Sequence, residues 1–78
     1  MRSLKIVPLG NPPRSGCPTR IIWLDESQQE IKGSAVQRRD LSEARRYAKE
    51  VVRVYHDITE IVDLYENRVY TREEYLTL

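Results

Sequence analysis

Two side chains in this 78-residue sequence have the chemistry of a reactive centre, the lone Cys17 and the lone His56. Cys17 lies in Arg14-Ser15-Gly16-Cys17-Pro18, where a nearby arginine favours the thiolate, the form that attacks electrophiles and binds metals. His56 closes a helical stretch, and a histidine in a last turn is favourable to the helix dipole. Neither has a partner at catalytic spacing. There is no glycine-rich phosphate loop, and no pair of carboxylates stands in an apolar context that would shift its pKa. A single cysteine forms no intrachain disulfide, and one cysteine with one histidine cannot close a zinc site within one chain. Cys17 therefore reads as a surface thiol and His56 as a helix-end residue, in a chain expected to be no enzyme and to need no metal or cofactor.

Charge is the second concentration of chemistry. The net is only +1, but it is unevenly spread. Six basic residues (Arg38, Arg39, Arg45, Arg46, Lys49, Arg53) against Asp40, Glu43 and Glu50 give residues 38–53 a charge of +3. Six acids (Asp57, Glu60, Asp63, Glu66, Glu73, Glu74) against Arg68 and Arg72 give residues 57–78 a charge of −4. Arg38, Arg39, Arg46, Lys49 and Arg53 are the groups that would meet phosphates if the basic helix bound nucleic acid, with an affinity that falls steeply with salt. Glu43 and Glu50 stand at helical spacing from those bases, and a chain with an acidic last third lacks the strongly basic balance of most nucleic-acid-binding domains. A nucleic-acid-binding regulator is therefore the alternative reading.

The elements that must position these groups follow from periodicity. From Leu41 to Tyr55, the residues Leu41, Ala44, Ala48, Val51, Val52 and Tyr55 fall on one stripe at 100° per residue, with Ser42, Glu43, Arg46, Lys49, Glu50 and Arg53 opposite. Asp40 is placed to cap this helix, and Glu43, three residues on, to reach back in a capping box. Ahead of it, Ile21-Ile22-Trp23-Leu24 reads as a strand ending at the polar turn 25–29, and residues 30–37 as a weaker antiparallel return with a bulge at Gly33. After it, 59–65 alternates as a strand, Asn67 suits the positive φ of a tight turn, and Val69-Tyr70 returns. Thr71-Arg72-Glu73-Glu74 is a second capping-box string opening a last helical turn. Residues 8–19 hold too many prolines and glycines for regular structure, and Leu4 and Ile6 alone suggest a short strand before them. The reading is a Pro-rich N-terminal arm over 1–19, loosely held, and a single α+β domain over 20–78, of β-β-α-β-β order, with one amphipathic helix on an antiparallel sheet.

Strand side chains alternate between faces, so Ile21 and Trp23 cannot share a face with Ile22 and Leu24. The second hairpin is likewise apolar on both sides, and one helix covers only one face. The uncovered surface, with Trp23, Tyr65, Tyr70 and Tyr75 as its expected contact residues, points to a protein partner or a homodimer.

A chain this short buries only about 60% of its unfolded surface, and its core rarely supplies more than ~3–5 kcal/mol, which adds weight to self-association. The apolar start is broken by Lys5 and Pro8, unlike a secretory signal, and the longest apolar run, Ile21 to Leu24, is far below bilayer length. A cytoplasmic protein without membrane contact is expected. In shape and size the outline resembles many small regulatory and inhibitor proteins, including those of phages and other mobile elements, a likeness that carries over no site residues.

Overall fold

The computed structural model describes residues 1–78 as a mixed five-stranded sheet with two helices on one side. The elements are β1 (Arg2–Pro8), β2 (Thr19–Leu24), β3 (Val36–Arg38), α1 (Leu41–Val54), β4 (Ile58–Asp63), β5 (Arg68–Thr71) and α2 (Arg72–Leu76). Their order across the sheet is β3-β2-β1-β4-β5. This is the expected α+β class with its main helix on the sheet, but the sheet is not wholly antiparallel. β1 and β4 run parallel, which requires a crossover connection, and α1 provides it.

The N-terminal arm is corrected most. Residues 2–8 are the middle strand, paired with β2 on one side and β4 on the other, and Leu4 and Ile6 are both fully buried. The domain thus starts at β1 rather than at residue 20. The Pro-rich stretch is the loop of the β1–β2 hairpin. It is tied down by bonds from the Leu9 amide to the Pro18 carbonyl (2.8 Å) and from the Leu41 amide to the Ser15 carbonyl (3.0 Å), the second anchoring it to the start of α1. Proline excludes regular structure here, as expected, without excluding order.

Helix α1 begins where Asp40 accepts a bond from the Glu43 amide (2.8 Å). The carboxylate of Glu43 does not complete the box but lies 3.4 Å from Arg39, so only half of the expected cap forms. At α2 the box is complete, Thr71 accepting from the Glu74 amide (3.2 Å) and donating its own amide to the Glu74 carboxylate (2.9 Å). The expected return strand over 30–37 shrinks to β3. Gly33 has a φ of +81° in the turn before it, and the Ser34 hydroxyl accepts from the Trp23 amide where a strand partner would have stood. Asn67 takes the positive φ foreseen for it.

One core forms between the sheet and the helices. Leu4, Ile6, Ile21, Ile58, Ile61 and Tyr70 meet Leu41, Ala44, Ala48, Val51 and Val52 of α1 and Tyr75 of α2. The helix stripe is as expected except for Tyr55, which caps the helix and is half exposed. Val51→Asp should therefore unfold the domain and Arg46→Glu should not. The first puts an unpaired charge into a core that stabilises the chain by only a few kcal/mol, whereas Arg46 lies in water. Circular dichroism compares the two, and equal folding would mean that the helix packs by another face. No helix is long and apolar enough to cross a membrane.

Candidate functional site

The four aromatic residues expected at an interface are all engaged within the fold. Tyr75 is fully buried and Tyr70 nearly so, edge to face at 5.6 Å. Both are core residues, which corrects their placement at the surface. The register sets Tyr70 opposite Ile61 on the helix side, and the cap at Thr71 turns the chain so that Tyr75 packs beneath α1. Trp23 is half-buried on the same side, with the Arg2 guanidinium 4.2 Å above its ring and Tyr55 edge-on at 5.0 Å. Arg2 is held there by Asp57, which accepts from Nε (2.5 Å) and from a terminal nitrogen (3.1 Å), and this contact keeps the Asp57 carboxyl below its usual range. Tyr65 is half-buried against the core.

The apolar residues on the other side of the sheet are aliphatic rather than aromatic. Alternation turns Lys5 and Val7 of β1, Ile22 and Leu24 of β2, Val62 of β4 and Val69 of β5 away from α1. The register runs Ile22, Lys5, Val62 and Val69 across four adjacent strands. Ile22 and Leu24 are buried although they lie outside the helix-side core. Val7, Val62 and Leu64 are half-buried, Val69 is 53% exposed, and neither helix packs there. Lys5, in the middle of the row, is held by Glu30 at 3.2 Å.

The basic helix is largely compensated by its neighbours. Arg39 lies by Asp40 and Glu43, Arg53 bonds Glu50 (2.8 Å), and Arg38 stacks on Tyr47 at 4.3 Å. Lys49 donates to the Leu78 backbone oxygen, and only Arg46 of the five expected nucleic-acid contacts has no such partner. Arg45, counted only in the charge balance, is the structurally decisive one. It donates to Asp63 (3.0 Å) and Glu66 (3.2 Å). Asp63 is fully buried, and its other oxygen accepts from the amides of Tyr65 (2.9 Å) and Glu66 (3.2 Å). One signal for it was present in the sequence, since Asp63 shares strand parity with the apolar Ile61. The Tyr70 hydroxyl donates to Glu66, which lowers the glutamate's pKa, with Arg45 adding to it, and raises that of Tyr70.

No protein-family model, curated protein or solved structure matches the chain.

Cys17 and His56 are not brought together with other reactive groups. Cys17 is half-buried in the hairpin loop, where backbone amides, that of Arg14 first, draw its thiol below the ordinary value. His56 is exposed after α1, with Arg72 3.4 Å from its Nδ1. No group of three or more histidine, cysteine or acidic side chains is arranged to hold a metal ion.

Proposed function

We propose that this chain is a small non-enzymatic protein-binding domain, of adaptor or inhibitor type, that works through the sheet face turned away from α1. The observation that carries this reading is the aliphatic group of half-buried Val7, Val62 and Leu64 and exposed Val69 on the sheet face turned away from the helix-side core. Contiguous apolar surface of this kind is uncommon on soluble monomers and marks contact sites. Val69 on the edge strand and Val62 beside it would form the centre of the contact. Lys5, beside Val62 and held by Glu30, would set a charged pair within the contact, fixing orientation more than affinity. The occupant is a protein, either a second copy in a two-fold dimer, the commonest closed solution, or a partner with a matching apolar patch. A cytoplasmic setting suits the single unpaired cysteine.

A photoreactive residue at position 69 should give one discrete adduct in the cells that make the protein, and the same residue at position 46 should give none. Sedimentation at micromolar concentration then distinguishes a dimer from a monomer that awaits a partner. Val62→Asp should abolish the adduct while circular dichroism stays unchanged, because that side chain already borders water. A strictly monomeric protein with no adduct from position 69 would overturn the reading.

A further inference from the structure

The two edges of the sheet are finished differently. On β2 the Trp23 amide and carbonyl face the β3 side, so the register makes Gln37 the residue of β3 that points outward. Its carbonyl accepts from the Arg38 guanidinium (3.1 Å), and the strand's own side chain thus covers that edge.

At β5 nothing covers the corresponding groups. The Leu64 amide donates to Ile6 of β1, so Leu64 and Val62 aim their main chain at β1 while Ile61 and Asp63 aim theirs at β5. Their partners Tyr70 and Arg68 point back, which leaves Val69 with its amide and carbonyl at the outer edge. The Thr71 amide also faces outward, but it donates to the Glu74 carboxylate (2.9 Å). Val69 is therefore the one β5 residue with both main-chain groups turned to an unpaired edge, and its side chain is 53% exposed. From there α2 leads the chain away, to where Lys49 of α1 meets the Leu78 backbone oxygen.

A slot one residue long is too short for the run of consecutive bonds that holds an added peptide strand. It is, however, self-complementary about a two-fold axis. A hydrogen-bonded pair in an antiparallel ladder exchanges both N–H···O bonds, so Val69 facing Val69 of a second copy satisfies both amides and both carbonyls. In that register Arg68 comes opposite Tyr70 of the second copy and Asn67 opposite Thr71, so no like charges face each other. Arg68 already stacks over its own Tyr70 at 4.4 Å. On the open face, Val62 and Val69 continue into Val69 and Val62 of the second copy as one aliphatic row.

We propose that two copies of this chain pair edge to edge through Val69 of β5, antiparallel about a two-fold axis, to make one continuous sheet. The pairing extends the face described above, on whose reading it rests, and makes a second copy the occupant of its outer end.

Val69→Pro tests the main-chain bonds. Proline is tolerated on an edge strand where its missing donor faces outward, so circular dichroism should show the domain folded. Sedimentation from micromolar to millimolar concentration should show dimerisation weakened about tenfold or more, because symmetry removes both bonds at once. In the native protein the Val69 amide should exchange with deuterium slowly in concentrated solution and fast in dilute solution, and the Tyr70 amide slowly in both. Should the proline variant not fold, Val69→Cys in a Cys17→Ser background serves instead. Facing residues of such a pair lie ~5.5 Å apart, within disulfide reach, so mild oxidation should link this variant to itself and leave Arg20→Cys, exposed on β2, unlinked. A dimer that survives Val69→Pro but is lost in Val62→Asp would overturn the edge pairing and leave the face reading standing. A chain monomeric at millimolar concentration, a Val69 amide whose exchange ignores concentration, or Val69→Cys linking no faster than Arg20→Cys would each overturn it too.

Discussion

A chain lacking residues 1–8 is expected not to fold. Removing β1 takes away the middle of the sheet and leaves β2 and β4 without their shared neighbour. It also removes Leu4 and Ile6, each worth about 1.5–3 kcal/mol when fully buried. Their sum approaches the whole ~3–5 kcal/mol that a core of this size supplies. The truncated chain should show a collapsed amide spectrum and no cooperative melting transition, with apolar surface exposed to dye. Dispersed amide signals from residues 9–78 would mean that β2 and β4 can close the sheet without β1, and that the first strand is an accessory after all.

Asp63→Ala is expected to cost about 3–5 kcal/mol, enough to leave much of the protein unfolded at ordinary temperature. The carboxylate is fully buried and satisfies Arg45 with one oxygen and the amides of Tyr65 and Glu66 with the other. Its loss strands a half-buried guanidinium and frees the β4–β5 turn at once. Asp63→Asn, which keeps an acceptor for the two turn amides, should cost less. Replacing Asp63 and Arg45 together by leucine and methionine should recover part of the loss, since a buried ion pair is expensive mainly when one partner is left alone. Denaturant melts of the wild type, Asp63→Leu, Arg45→Met and the double variant give the cycle, and a fully additive double variant would show that the two residues act separately.

The sequence makes some parts of this molecule plain and hides others for physical reasons. Helix α1 is legible because a stripe of six apolar positions repeats at the helical period between Asp40 and the polar His56-Asp57. Strand β1 is obscure because only Leu4 and Ile6 face the core, while Lys5 on the open side reads as a surface residue. A middle strand usually announces itself by apolar residues on both faces, and that signal fades when one face stays uncovered. The tyrosines were misplaced for a related reason. Alternation says that Val69 and Tyr70 face opposite ways, but not which one faces in, and the parity is set only by the pairing of Tyr70 with Ile61. That both sheet faces carry apolar residues is thus legible in the sequence, whereas which of them are buried is not.

The pairing of β1 has a further consequence for how the chain comes off the ribosome. Its hairpin with β2 can close early, since the partners are joined by one loop. Its other edge matches Ile6 with Asp63 and Leu4 with Ile61, so it stays bare until the segment beyond α1 has emerged. Contacts between such distant segments form slowly, and an unpaired strand edge is prone to aggregate while it waits. The growing chain thus passes through an interval in which its best strand is half satisfied. Lys5, next to the fully buried Leu4 and Ile6, keeps a charge on that strand while its edge is bare, as charged residues do along natural sheet edges.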